Sequence, residues 1–439
     1  MKKCFQVIMT FLLMFGAVFV LAGCEKDNKV INNKIDEKIE TNNQEEKKKE
    51  ADNLLKEIKI EQVEGKVISD VFLESQFDLA VKLFKESVSA SKNKNVLISP
   101  LSVLLALSMT ANGAEGMTKS EMEALLGGGI TIEDLNEYLY TYVNSLPSDE
   151  QNKLKIANSI WYRDEEDLTL DEDFLQAVTN YYDAELYKAP FNETTLTDIN
   201  NWVSKNTDGM IKKILNEIPA EAIMYLINAI VFDAKWDVAY AEEAIFENKQ
   251  FTNILNEKQI VTMMSSVEQR YIFDSNAQGF IKPYKDNKYS FAALLPNEGV
   301  DIYDYINSLT KESLTNTLNN SMYASITASI PKFSCGYEIT MNNILKNLGM
   351  KRAFDSKMAE FTKMVNSVRG NAYIGSVLHK TFISVDELGT KAAAVTVVEM
   401  GIECSFSYNY YIKLDRPFVY MIIDNQTNLP IFIGVLTNI

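Results

Sequence analysis

Apolar positions recur along this chain with two different periods. At residues 77–87, 102–111, 118–126 and 132–144 they fall three and four apart, which predicts amphipathic helices. The second of these opens just after Ser99-Pro100, a helix-start signal. Residues 154–162 have strand character, and 196–215 reads as helices around the turn Asp208-Gly209. From Ala222 onward β-rich apolar runs dominate, at 223–232, 289–295, 324–330, 380–385, 419–423 and 429–436. Helices early and strands late, on one continuous core, predict an α+β fold with large antiparallel or mixed sheets. No internal repeat is visible.

The N-terminus reads differently. Lys2 and Lys3 precede an apolar run over residues 5–20, followed by Leu21-Ala-Gly-Cys24. This is a charged n-region and an h-region, ending in what resembles a bacterial lipobox; the run is marginal for a membrane-spanning helix. The resemblance implies that residues 1–23 are a leader and that Cys24 becomes a lipid-carrying first residue, anchoring the protein on the outer face of the cell membrane. Residues 24–66 are dominated by Lys, Glu, Asp and Asn, a composition that predicts a mobile tether. About 40 such residues reach roughly 35 Å as a coil. Residues 56–63 have the spacing of a short helix within it. The folded domain is expected over residues 67–439.

One segment is unusual. Glu387 to Met400 is rich in small and β-branched residues, lacks proline, and carries its charges near the two ends. A surface loop would hold more Gly, Pro, Asn and Asp. On a strand of period two, Thr390, Ala392, Ala394, Thr396 and Val398 share one uncharged face, while Lys391 and Glu399 share the other. Such a segment can lie outside a sheet in one state and between strands in another.

Its pattern, Glu387-x-Gly389-Thr390-x-Ala392-Ala393-Ala394-x-Thr396, resembles the reactive-loop hinge of serpins, inhibitors that insert their own loop into a sheet. Three further segments resemble the same family in the same order: Asn95-Val-Leu-Ile-Ser-Pro-Leu-Ser102 with Ala111-Asn-Gly-Ala114; Asn228-Ala-Ile-Val-Phe-Asp-Ala-Lys-Trp236; and Asp415-Arg-Pro-Phe418 with Phe432-Ile-Gly434. Together they span roughly residues 68–439 and imply a reactive loop at about 387–412. By the same resemblance, His379, Ser99, Ser102 and Asn200 form a buried polar "shutter", and Trp236 marks the "breach" where insertion begins. The departures are Lys391 where Glu is usual, Asp233-Ala234 in place of Lys-Gly, and Ala239-Tyr240 in place of Pro-Phe.

The mechanism implied is suicide inhibition. A protease nucleophile forms an acyl-enzyme with the loop, and the cut hinge inserts as a new strand. Some 14 residues at roughly 3.3 Å each would carry the tethered protease about 45 Å. The family's spacing from Glu387 places the reactive bond between Glu403 and Cys404, and a loop about three residues longer than common allows cleavage as far as Phe406. Between Ala392 and Ile412 there is no Lys or Arg, which disfavours trypsin-like targets. Glu403 suits glutamate-preferring serine proteases, Ile402 papain-like cysteine proteases, and Met400 or Phe406 subtilisin- or chymotrypsin-like enzymes. A covalent complex with an extracellular protease and a monomeric inhibitor are therefore expected, with a non-inhibitory, surface-anchored binding protein as the alternative.

Composition narrows the rest. A net charge of −17 offers no clustered basic surface for nucleic acid. His379 is the only histidine, so a His-Glu-x-x-His zinc site is impossible, and no Gly-x-Ser-x-Gly elbow is present. Gly113-Ala-Glu-Gly-Met-Thr-Lys-Ser120 lacks the Gly before Lys119 that a phosphate loop needs and reads as a turn between helices. No catalytic activity, metal or cofactor is expected. With Cys4 in the leader and Cys24 at the lipid site, only Cys335 and Cys404 remain; Cys335 reads as a buried small residue.

Overall fold

The computed structural model describes residues 52–53, 58–165, 168–367, 371–390 and 409–439. Cys24, Ala392, Ala393, Ala394, Thr396, Glu403 and Cys404 lie outside the described residues, as does the leader. The helices, in chain order, are α1 (Asp70–Ala90), α2 (Pro100–Ala111), α3 (Gly116–Gly127), α4 (Ile132–Ser145), α5 (Glu172–Tyr182) and α6 (Glu193–Asn206). Three shorter ones follow: α7 (Ile302–Ser308), α8 (Lys311–Asn319) and α9 (Asn342–Asn347).

The strands begin with β1 (Asp52–Asn53), β2 (Val96–Ile98), β3 (Asn152–Arg163), β4 (Leu168–Leu170), β5 (Ala184–Ala189) and β6 (Met224–Lys235). Next come β7 (Ile245–Thr252), β8 (Lys258–Phe273), β9 (Ala277–Pro283), β10 (Tyr289–Pro296), β11 (Met322–Pro331) and β12 (Phe333–Thr340). The last are β13 (Val365–Ser367), β14 (Leu378–Val385), β15 (Gly389–Thr390), β16 (Asn409–Lys413), β17 (Phe418–Asp424) and β18 (Pro430–Leu436).

They form a seven-stranded sheet in the order β1-β5-β3-β6-β15-β14-β12, a nine-stranded sheet in which β16-β11-β8-β9-β10-β17-β18-β2 run side by side, with β7 paired to β8, and a two-stranded sheet of β13 and β4. This is the α+β architecture with large mixed sheets that the hydrophobic pattern predicts. The central strands β10, β17 and β18 are buried at every position, as sheets covered on both faces require. Helix α2 lies against β6 and β18 and is buried at every residue except Ala106, which its near-continuous apolar sequence demands. Ser99 caps it: its hydroxyl accepts from the Ser102 N–H, and Pro100 takes the first helical position, where no donor is needed. A second, smaller core fills the space between the seven-stranded sheet and α6, around Trp161, Ile199, Trp202, Val203, Ile211 and Leu215.

Three local expectations are corrected. The chain after Asp208-Gly209 is irregular rather than helical, because Thr207 Oγ1 and Asn200 Oδ1 accept the N–H groups of Ile211, Ile214 and Leu215 that a helix would pair internally. Residues 58–63 contain no helix. Residues 58–66, placed by composition in the tether, are bonded to the folded unit. The Glu61 N–H donates to Asn180 Oδ1 (3.0 Å), Gln176 Nε2 donates to the Lys59 carbonyl (3.0 Å), and Lys66 pairs with Asp134 and Glu137.

Candidate functional site: the hinge and the cleft beneath it

At the end of β14 the chain reverses around Asp386. Its Oδ1 accepts from the N–H groups of Leu388 (2.9 Å) and Gly389 (3.1 Å), and its own N–H donates to the Gly389 carbonyl (3.0 Å). This Asx turn feeds β15 back between its neighbours. Gly389 pairs with Lys235 and Thr390 with Ala234 on one side, and Thr390 with Val385 on the other. Gly389 is required there: a Cβ would come within 2.1 Å of the Ala234 carbonyl oxygen. Thr390 is buried, and its hydroxyl meets that of Tyr284 at 2.6 Å, so it faces inward as the alternation predicts. Burial pushes the Asp386 carboxyl above the usual range, whereas Lys332, at 2.5 Å, holds Glu387 below it.

Trp236 occupies the facing corner. Its ring stacks on Tyr284 at 4.5 Å and 8°, its Nε1–H donates to the Asp386 carbonyl (2.9 Å), and its backbone N–H donates to the Leu388 carbonyl (2.9 Å). The Tyr240 N–H adds a bond to the Glu387 carbonyl (3.0 Å). The replacements noted in the sequence fit here. Ala234 lies beside Gly389, and Tyr240 packs edge-on against Trp236.

Below the two residues of β15, β6 and β14 flank a cavity of about 610 Å³. Asn228 and Ile227 line it from β6, Ser102 and Leu107 from α2, and His379 from β14. His379 is buried, and its Nε2 accepts the Ser99 N–H at 3.1 Å, which assigns the proton to Nδ1. Burial in apolar surroundings drives its pKa down to about 4, so the ring is neutral at ordinary pH. Thr381 Oγ1, two residues on, donates to the Leu97 carbonyl (2.7 Å) and ties the same strand to β2.

Ser99, Ser102 and His379 are thus brought together, but Asn200 is not hydrogen-bonded to them. It stands on α6, where Oδ1 accepts from Ile214 (2.7 Å) and Leu215 (3.0 Å) and Nδ2 donates to the Leu215 carbonyl (2.9 Å). Its link to the cavity is indirect, through those two lining residues. The asparagine that lines the cavity from β6 is Asn228. Its Nδ2 donates to Asn158 Oδ1 (2.7 Å), Asn158 passes a bond to the Tyr182 carbonyl (2.7 Å), and the buried Asn228 Oδ1 has no partner among the described residues. A lone amide within Leu226-Ile-Asn-Ala-Ile-Val-Phe232 was the available signal. Cys335 is a free, buried thiol whose pKa burial raises to about 11.

Comparison with known proteins places this arrangement. A family model described as serpin (serine protease inhibitor) matches residues 74–439. Serpin B9 of Homo sapiens is 31% identical over 372 residues, covering 81% of this chain and 96% of the relative. An uncharacterised serpin-like protein of Thermococcus kodakarensis is 30% identical over 368 residues, covering 81% and 83%. Among crystal structures, the thermophilic serpin tengpin in its native state is 48% identical with a TM-score of 0.84, covering 89% of this chain and all of that one. The latent state of tengpin gives 46% and 0.77, covering 85% and 100%.

Proposed function

Because the chain belongs to the serpin family, we propose that it is a suicide-substrate inhibitor of extracellular serine proteases, with papain-like cysteine proteases as a second target class. Serpins are generally protease inhibitors rather than catalysts. In the proposed reaction the protease nucleophile attacks the Glu403 carbonyl carbon. The Glu403–Cys404 peptide bond breaks, the Cys404 nitrogen leaves with a proton, and an acyl bond joins the protease to Glu403. The freed segment then continues the path that β15 begins, carrying the protease along the sheet before water can hydrolyse the acyl bond.

The observation that supports this reading is the position of Gly389 and Thr390. They already occupy two places between β6 and β14, at the end of those strands opposite the cavity that Asn228 and His379 line. The residues that would follow inward, Ala392, Ala394, Thr396 and Val398, are small or β-branched and uncharged. We further propose that lipid on Cys24 holds the protein at the outer face of the cell membrane.

The test is incubation with subtilisin-, glutamyl- and papain-like proteases. An SDS-stable complex, with release of a peptide beginning at Cys404, is expected. Clean cleavage without complex by every protease would overturn the inhibitory reading in favour of a surface binding role. Cys24→Ala is expected to shift the protein from the membrane to the soluble fraction.

A further inference from the structure

Beside the hinge lies a buried ion pair that the proposed reaction does not use. Lys282 on β9 and Glu268 on β8 are both buried, and Lys282 Nζ meets Glu268 Oε1 at 2.9 Å. The carboxylate is positioned by Ser266, whose hydroxyl donates to the same oxygen at 2.6 Å. The ammonium has three further partners, all on the segment that follows β6. It donates to the Val238 carbonyl (3.2 Å) and sits over the rings of Tyr240 (4.5 Å) and Trp236 (5.3 Å).

That segment is the one that carries the start of the hinge. The N–H of Trp236 donates to the Leu388 carbonyl, that of Tyr240 to the Glu387 carbonyl, and the indole of Trp236 to the Asp386 carbonyl. Residues 236–240 are thus bonded to the hinge by main-chain and indole donors, and to the nine-stranded sheet by the buried ammonium together with the Asp237 N–H, which donates to the Pro283 carbonyl (3.1 Å). A charge taken out of water and held by a carboxylate, a carbonyl and two aromatic faces cannot give up one set of partners without strong cost. An apolar side chain there would pack as well but would fix nothing by direction.

We propose that Lys282, oriented by Glu268, is a positioning residue for the hinge: it fixes the 236–240 segment against the nine-stranded sheet so that Glu387 and Leu388 are held in register for Gly389 and Thr390 to seat between β6 and β14.

Amide hydrogen exchange on the full-length protein tests this. Lys282→Met is expected to speed exchange of the Trp236 and Tyr240 amides by about tenfold or more while leaving Leu294, in the β10–β17 ladder, unchanged. Lys282→Arg, which keeps a buried cation, restores slow exchange. If Lys282→Met does not fold because Glu268 is left alone, the double variant Lys282→Leu, Glu268→Leu carries the test, since it removes both charges together. It is expected to keep Leu294 protected and still expose Trp236 and Tyr240. Unchanged exchange at those two amides in either apolar variant overturns the proposal, as does equal acceleration at Leu294, which marks a general loss of stability. A consequence for protease trapping, more inhibitor consumed per protease inactivated, rests on the proposed function; the exchange result does not, so the two can fail separately.

Discussion

Gly389 and His379 make opposite demands on their surroundings, one for the absence of atoms and one for the absence of a proton. At Gly389 the neighbouring backbone leaves no space, with the Ala234 carbonyl oxygen 2.1 Å from where a Cβ would stand. Gly389→Val must therefore push β15 from between its neighbours or spread them. The expected cost to the intact protein is about 1–3 kcal/mol by urea unfolding, and an unchanged midpoint would mean that Gly389 is not seated as described. His379 is held neutral by burial, with a pKa of about 4 against an ordinary value of 6.5. Well above pH 6.5 neither folded nor unfolded ring carries a proton, and stability from this group is complete. As pH falls the unfolded ring protonates first, so stability is lost progressively down to pH 4, reaching about 3 kcal/mol. His379→Gln keeps an acceptor for the Ser99 N–H but does not titrate. The wild type is expected to lose more stability than the variant between pH 7 and pH 4, and parallel pH profiles would refute the assignment.

Among the elements, those written in long apolar runs were legible and those built on capping were not. Strands such as β10 and β18 are buried at every residue, so composition alone marks them. Helix α1 begins seven residues before its periodic stretch because the Ser69 hydroxyl accepts the Phe72 N–H and Asp70 lies in the first turn. Helix α5 was not anticipated, although Asp171 accepts from both Asp173 and Phe174 at its start. The short α7 and α8 depend in the same way on Asp301 and Thr310. The hinge, Ser99, His379 and Trp236 were placed by motif and spacing, and the structure gives Glu387, Gly389, Thr390, Ser99, His379 and Trp236 defined partners. Asn200 was placed with His379 by resemblance, whereas Asn228 was marked only by being a lone amide in an apolar run. The structure makes the distinction testable. Asn200→Ala leaves the N–H groups of Ile214 and Leu215 without their acceptor, at an expected cost of about 1–3 kcal/mol. It should leave the pH dependence attributed to His379 unchanged in urea titrations. A flattened pH profile would return Asn200 to the His379 cluster.

For the folded unit as a whole, the decisive feature is how little of the described chain lies between β6 and β14. Among the described residues, the 12-residue strand β6 and the 8-residue strand β14 are joined through the two residues of β15, and their far ends flank a cavity of about 610 Å³. Among the described residues, β6 and β14 have no ladder partner between them beyond β15, and the buried amide oxygen of Asn228 has no partner. In the intact chain, residues 391–408 connect β15 to β16, and β16 is fixed at the edge of the other sheet by its pairing with β11. Insertion beyond Thr390 therefore competes with that attachment. Cutting the connection removes the competition without removing any residue that could fill the gap. Each ladder bond formed contributes about 0.5–1.5 kcal/mol net, so even a partial strand that extends β15 adds stability. The cleaved protein, both pieces retained, is expected to melt at least about 10 °C above the intact protein by circular dichroism. Thr390→Arg, which puts a charge where the hydroxyl now meets Tyr284, should be cut at the same bond and gain little or nothing. Equal melting temperatures for intact and cleaved wild type would show that the open sheet stores no free energy. A full gain in Thr390→Arg would show that the inward face of the hinge is not the one assigned.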